Sequence, residues 1–249
     1  MKKLGISLDG VIRNFHSSFD RQYRKTFIMN PAIVQMDEDF RIKEPTEEEI
    51  KEQEKRVLKL TAEKISLPID TYDLLNHYEF NDVPEFQNET INKIRTKKEK
   101  DAVNRILTPE EALNQFMYEK YPFRIFGDSE EYQNATNYFN QIQAYGLRNK
   151  LFETVLLIDV KGSAITASYY FLHKTGNRAR NIKVVESNID KWEYCDVLID
   201  VEPEVIQSKP KDKKLVKIER VYNQWDQADY SLKDLKFLND EELLKILFK

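Results

Sequence analysis

The sequence is poor in the residues that build disulfides and many metal centres. A single cysteine, Cys195, excludes an intramolecular disulfide and any cysteine-based zinc cluster. The three histidines, His16, His77 and His173, are too few for a histidine-rich metal site. Only six glycines are present, and neither a G-x-x-x-x-G-K-[ST] nor a G-x-G-x-x-G phosphate loop occurs; H-E-x-x-H is also missing. No apolar run approaches the roughly 18 residues that span a bilayer, and the first residues lack the apolar segment of a secretory signal. The expectation is a soluble, cytoplasmic protein with no membrane partner. An excess of one charge is lacking too. With 39 basic and 43 acidic residues the net charge is −4, which gives no general reason to expect nucleic-acid contact. Local basic stretches at 95–100 and 209–217 are interleaved with acids or turn residues and read as solvated faces.

What is present suffices for a core. Hydrophobic residues make up 41% of the 249 and aromatics 12%, enough for one large domain or two smaller ones. A strand near 4–8 precedes a helix over 14–24. Residues 27–107 then lose regular apolar patterning. Within them the T-x-x-E box of Thr46 and Glu49 opens a helix to about residue 64, 66–89 are mostly irregular, and 89–106 are helical. Scattered aromatics there (Tyr72, Tyr78, Phe80, Phe86) suit wrapping around a partner. Order returns at Thr108, where Pro109 and Glu111 complete a capping box for a helix to about 120. The aromatic segment 121–128 reads as a loop or docking turn rich in aromatic contacts, followed by a helix over 129–146. From there strands (154–158, 181–185, 196–199, 215–218) alternate with helices (163–174, 190–194, 203–207), and Asn239 with Glu242 caps a last helix over 240–248. Alternation of this kind predicts a doubly wound parallel α/β sheet, with residues 1–26 plus 108–249 as the core and 27–107 as a polar insertion.

Open parallel sheets carry their sites at the carboxyl ends of central strands. The relevant residues are Ser7 and Asp9 after the first strand, Asp159 after the second, and Lys191 followed by Cys195-Asp196-Val197-Leu198-Ile199-Asp200. Read singly, each has a plain structural role: Lys191 as a solvated surface residue, Asp200 as a helix cap, Asp159 as a turn residue before Gly162, Val201 as packing. Together, in this order, they resemble the motifs of the haloacid dehalogenase-like (HAD) superfamily, and among its branches the 5'(3')-deoxyribonucleotidase-like one. The resemblance spans the first 15 or so residues and roughly 118–223. It implies a HAD-like Rossmannoid core with a largely helical or irregular cap-type insertion. It also implies that Asp9 occupies the acid/base and metal position, Asp200 a Mg²⁺-ligand position, and Lys191 the position that balances phosphate charge.

The departures are specific. Ser7 stands where the family has its aspartate nucleophile, Val201 replaces a second aspartate after Asp200, and Asp159 stands where Ser or Thr would bond the phosphate. Losing a nucleophile can cost a hydrolase roughly 10⁶ in turnover. The main expectation is therefore a catalytically inactive chain without a cofactor, in which Ser7, Asp9, Asp159 and Lys191 are relic catalytic positions and Asp9 and Asp200 a relic Mg²⁺ site. It would serve as a subunit of a homo-oligomeric ring or larger assembly. Degenerate chains of this composition are similar to portal-proximal or tail-ring proteins of crAss-like tailed phages, which would place it in the host cytoplasm and then the virion. The alternative is a Mg²⁺-dependent phosphatase of nucleotide monophosphates; in it Asp159 would have to replace the lost nucleophile while Asp9 and Asp200 hold the metal, and geometry is against that, because in-line attack and a near-octahedral metal shell tolerate little displacement.

Overall fold

The structure is a computed structural model and describes residues 1–29, 72–81, 83 and 106–249. The helices expected over 46–64 and 89–106 lie outside the described residues, except for the last residue of the second.

The chain opens with β1 (Lys2–Ser7), whose Leu4 to Ser7 are all buried. The Asn14 side chain then accepts from the Ser17 amide and caps α1 (Phe15–Arg24). Phe15, Phe19, Gln22 and Tyr23 give α1 its buried face at helical spacing. Phe19 and Tyr23 meet Tyr78, Phe80 and Phe116 ring to ring. Two of the aromatics assigned to an outside partner, Tyr78 and Phe80, are thus consumed by the protein's own core.

The Thr108 capping box forms as expected, at the head of α2 (Pro109–Asn114). Beyond it the backbone continues in wider helical turns over Gln115–Lys120 and Phe123–Gly127, so the segment expected to be a loop is partly helical and buries Ile125 and Phe126. Next comes α3 (Ala135–Arg148), then β2 (Phe152–Ile158) and α4 (Ser163–Thr175). In α4 the buried residues Ala164, Ala167, Ser168, Phe171 and Leu172 follow i, i+3, i+4, i+7, i+8, and Gly176 ends the helix with a positive φ of 72°. There follow β3 (Ile182–Val184), a 3₁₀ segment Asn188–Tyr194, β4 (Val197–Asp200), α5 (Pro203–Gln207), β5 (Lys214–Ile218), a 3₁₀ turn Val221–Asn223, β6 (Tyr230–Leu232), a 3₁₀ segment Leu235–Asn239 and α6 (Glu241–Leu247). Asp240, one residue past the expected Asn239, caps α6.

The six strands among the described residues pair in parallel, in the order β3-β2-β1-β4-β5-β6. Side chains alternate across the sheet and feed two apolar layers. Leu4, Ile6, Leu156, Ile158, Ile199 and Val216 face the layer of α1 and α4. Val155, Leu157, Leu198 and Leu215 face the other layer, which contains Trp192, Cys195, Val205 and Ile206. The Trp192 ring is buried there and its Nε1–H donates to the Val205 carbonyl at 3.1 Å. Both ends of the chain meet at the amino end of the sheet. Lys214 Nζ donates to the carbonyls of Ile246 and Leu247, Lys2 Nζ donates to that of Phe248, and the Phe248 ring stacks on Phe152.

The basic stretch 209–217 is not the solvated face expected. Lys217 is buried and donates to the carbonyls of Asn223 and Asp226, and Lys213 Nζ donates to the Trp192 carbonyl. These ammonium groups find a use in this fold that sequence spacing does not reveal: they satisfy backbone carbonyls of the turns after β5 and before β4.

Candidate active site

The strand order reverses between β1 and β4, and a ligand crevice in an open parallel sheet forms at the carboxyl ends of such a pair. Asp9 follows β1, Asp159 follows β2 and Asp200 ends β4, so three carboxyl groups come together from three neighbouring strands. Lys191 joins them from the 3₁₀ segment ahead of β4. Far from being solvated, it is 1% exposed. Its Nζ lies 2.7 Å from Asp159, 3.1 Å from Asp200 and 2.9 Å from Glu202. Burial alone would lower the pKa of this ammonium, but Asp159, Asp200 and Glu202 outweigh it and hold the group well above its ordinary value.

Asp200 is saturated. Its Oδ2 accepts from the Ser7 hydroxyl and from Lys191, and its Oδ1 from the amides of Val201 (2.7 Å) and Glu202 (2.9 Å). Ser7 is buried with its hydroxyl committed to this bond. Val201 is buried against the turn after β1. A Cβ at Gly10, where φ is +75°, would sit 2.2 Å from the Val201 side chain, so glycine is required both for the turn and for this contact.

Two charged participants were missing from the sequence reading. Arg13 is fully buried and forks onto Asp9, with Nε and Nη2 each 2.6 Å from a carboxylate oxygen. Its remaining donor reaches the Phe126 carbonyl and the Ser168 hydroxyl, and the guanidinium lies over the rings of Phe126 and Phe171. Burial raises the Asp9 carboxyl above its usual range while Arg13 pulls the other way. Glu202 is the second. Burial pushes its carboxyl up to about 8 against the opposing pull of Lys191, with Asp159 and Asp200 adding to the rise. The signals were there: an Asp and an Arg four residues apart across a turn, and an acid two residues after Asp200.

Asp9, Asp159 and Glu202 line a pocket of about 160 Å³ with Phe15, Tyr72, Leu74, Met117, Tyr118, Phe126, Val160 and Asn188. Asp159 is the outward member of the cluster, its side chain 10% exposed where that of Lys191 is 2%. Burial raises the Tyr72 and Tyr118 hydroxyls, reinforced by Glu202 and Asp159 at the first and by Asp159 and Asp9 at the second, so both stay protonated at neutral pH.

As arranged, this donor set does not fit Mg²⁺, which takes hard oxygens in a near-octahedral shell. Both oxygens of Asp9 are held by Arg13, all four acceptor directions of Asp200 are used, and Glu202 accepts from Lys191 and Asn188. Among the described residues no three His, Cys, Asp or Glu side chains are grouped to hold a metal ion.

No protein-family model matches the sequence, and no curated protein matches it. Solved structures do. YfnB from Bacillus subtilis, described as a HAD-hydrolase and bound to magnesium, aligns with a TM-score of 0.50 at 11% identity over 98% of each chain. CbbY from Rhodobacter sphaeroides in complex with phosphate gives 0.49 at 9%, over 98% of this chain and 99% of that one. A HAD phosphatase from Thermococcus onnurineus gives 0.42 at 12%, over 96% of each. The likeness to a protein described as a HAD-hydrolase runs against the expectation of an inactive assembly component of a phage virion, and that expectation is not kept. That expectation took the loss of an aspartate at position 7 for the loss of the site, whereas Asp159 brings a pocket-lining carboxylate onto Lys191 from the neighbouring strand. The protein has the HAD-like α/β fold.

Proposed function

We propose that the protein hydrolyses small phosphate monoesters in the pocket at the carboxyl ends of β1, β2 and β4, with Asp159 as the nucleophile. The observation that carries this reading is the pairing of Asp159 with Lys191 at the pocket wall. Lys191 fixes the Asp159 carboxylate and supplies the positive charge that lets a phosphate approach it. The Asp159 carboxylate attacks phosphorus, the bond from phosphorus to the ester oxygen breaks, and that oxygen takes the proton of Glu202. A water molecule then gives a proton back to the Glu202 carboxylate, attacks phosphorus and releases orthophosphate and Asp159. Glu202 suits the acid role because burial keeps its proton on to about pH 8. Nucleoside monophosphates and aryl phosphates are the substrates to try first.

The test is phosphate release by the wild type, by Asp159→Asn and by Ser7→Ala. The reading expects Asp159→Asn to lose at least about 10³ of the turnover and Ser7→Ala to keep most of it, with wild-type turnover falling above about pH 8 as Glu202 ionises. Equal turnover by wild type and Asp159→Asn overturns the assignment.

A further inference from the structure

We infer that Lys191 and Arg13 take the place of a divalent cation, so that this site runs on built-in positive charge and binds no Mg²⁺. The inference concerns cation binding and stands whether or not the substrate reading above holds.

Lys191 Nζ sits among Asp159, Asp200 and Glu202 at 2.7, 3.1 and 2.9 Å, in a position that is closed to solvent. Three carboxyl groups surround one enclosed ammonium, which already supplies the positive charge that would otherwise have to come from a metal ion. A metal entering between them would have to displace a buried ammonium from all three of its carboxylate partners. An unpaired charge in a dry interior is strongly unfavourable.

Asp9 is closed in the same way. Arg13 uses Nε and Nη2 on its two oxygens, while Nη1 is tied to the Phe126 carbonyl at 3.1 Å and to Ser168 at 2.8 Å. The guanidinium is fully buried, with the rings of Phe126 and Phe171 beside it at 5.0 and 5.5 Å. The remaining position that the resemblance assigns to a metal-binding acid is Val201, which fills the space against Gly10.

The experiment is calorimetric titration of the full chain with MgCl₂, alongside thermal melts in EDTA and in millimolar Mg²⁺. Neither readout needs turnover, so a failed substrate assignment and a failed cation assignment are separable. The expected result is no saturable heat and one Tm in both buffers, since a ligand that does not bind the native state cannot shift its melting. Saturable Mg²⁺ binding that Asp9→Asn removes would overturn the inference. Lys191→Met supplies a gain of binding: it melts low in EDTA and its Tm climbs with Mg²⁺ concentration as the metal enters the vacated position. A folded Lys191→Met that melts identically in both buffers would also overturn it. If that variant fails to fold, the wild-type titration decides alone.

Discussion

At the scale of single residues, Ser7 illustrates how a change at one position can be absorbed by its neighbours. Its hydroxyl donates to Asp200, which is also held by Lys191 and by two backbone amides. The sequence alone suggests that Ser7→Asp would restore a nucleophile. The structure argues for a different outcome: the new carboxylate would face Asp200 in a dry interior where Lys191 is already shared among three acids. Urea denaturation should show Ser7→Asp to be less stable than the wild type by about 3–5 kcal/mol, the usual cost of an uncompensated buried charge. Unchanged stability with new phosphatase activity would refute this account of position 7.

At the scale of elements, α1 ties the sheet to residues 72–80. His16 on this helix packs against the rings of Tyr72 and Tyr222 at 5.6 and 5.4 Å, and its Nε2 has no hydrogen-bond partner among the described residues. Burial lowers the imidazole to about 4, helped by the nearby charges of Arg220 and His77. The unfolded chain titrates near the ordinary 6.5, so between about 6.5 and 4 it binds more protons than the folded protein, and stability falls as pH falls through that window. The loss amounts to about 3 kcal/mol by the lower end. His16→Phe keeps the ring packing and removes the proton site. Its stability should therefore vary less between pH 6.5 and pH 4 than that of the wild type, as read from urea midpoints; parallel curves would count against a buried neutral histidine.

At the scale of the whole molecule, the ends of the chain are joined at the amino end of the strands, opposite the pocket. Phe248 stacks on Phe152 at the start of β2, and Lys2 and Lys214 hold the last carbonyls. Phe248→Ala should lower stability by about 3 kcal/mol through lost packing while leaving the KM for any phosphate ester unchanged; a raised KM would show that the two ends of the strands are coupled. This layout also explains what the sequence could reveal. The central strands were legible because both their faces are covered, which leaves near-continuous apolar runs such as 154–158. β6 was not, since three residues on a sheet edge, Tyr230–Leu232, carry too little pattern. The helical turns of the segment 121–128 were not legible because they are wide, bury Ile125 and Phe126 but leave Phe123 exposed, and so have no spacing signature. At the site, the carboxylates and Lys191 were visible as strand-end residues. The contacts of Lys191 with Asp159, Asp200 and Glu202 were not, because they are made only by tertiary folding.

The burial of Trp192 gives the protein an optical probe of its own. The indole is enclosed beside Lys191, whereas the other tryptophan, Trp225, is 88% exposed. In Trp225→Phe the remaining emission comes from a single ring next to the lysine that gathers three acids. A blue, iodide-resistant spectrum would report an intact site in any variant before turnover is ever assayed, and a red shift would mark the ones in which that corner has opened.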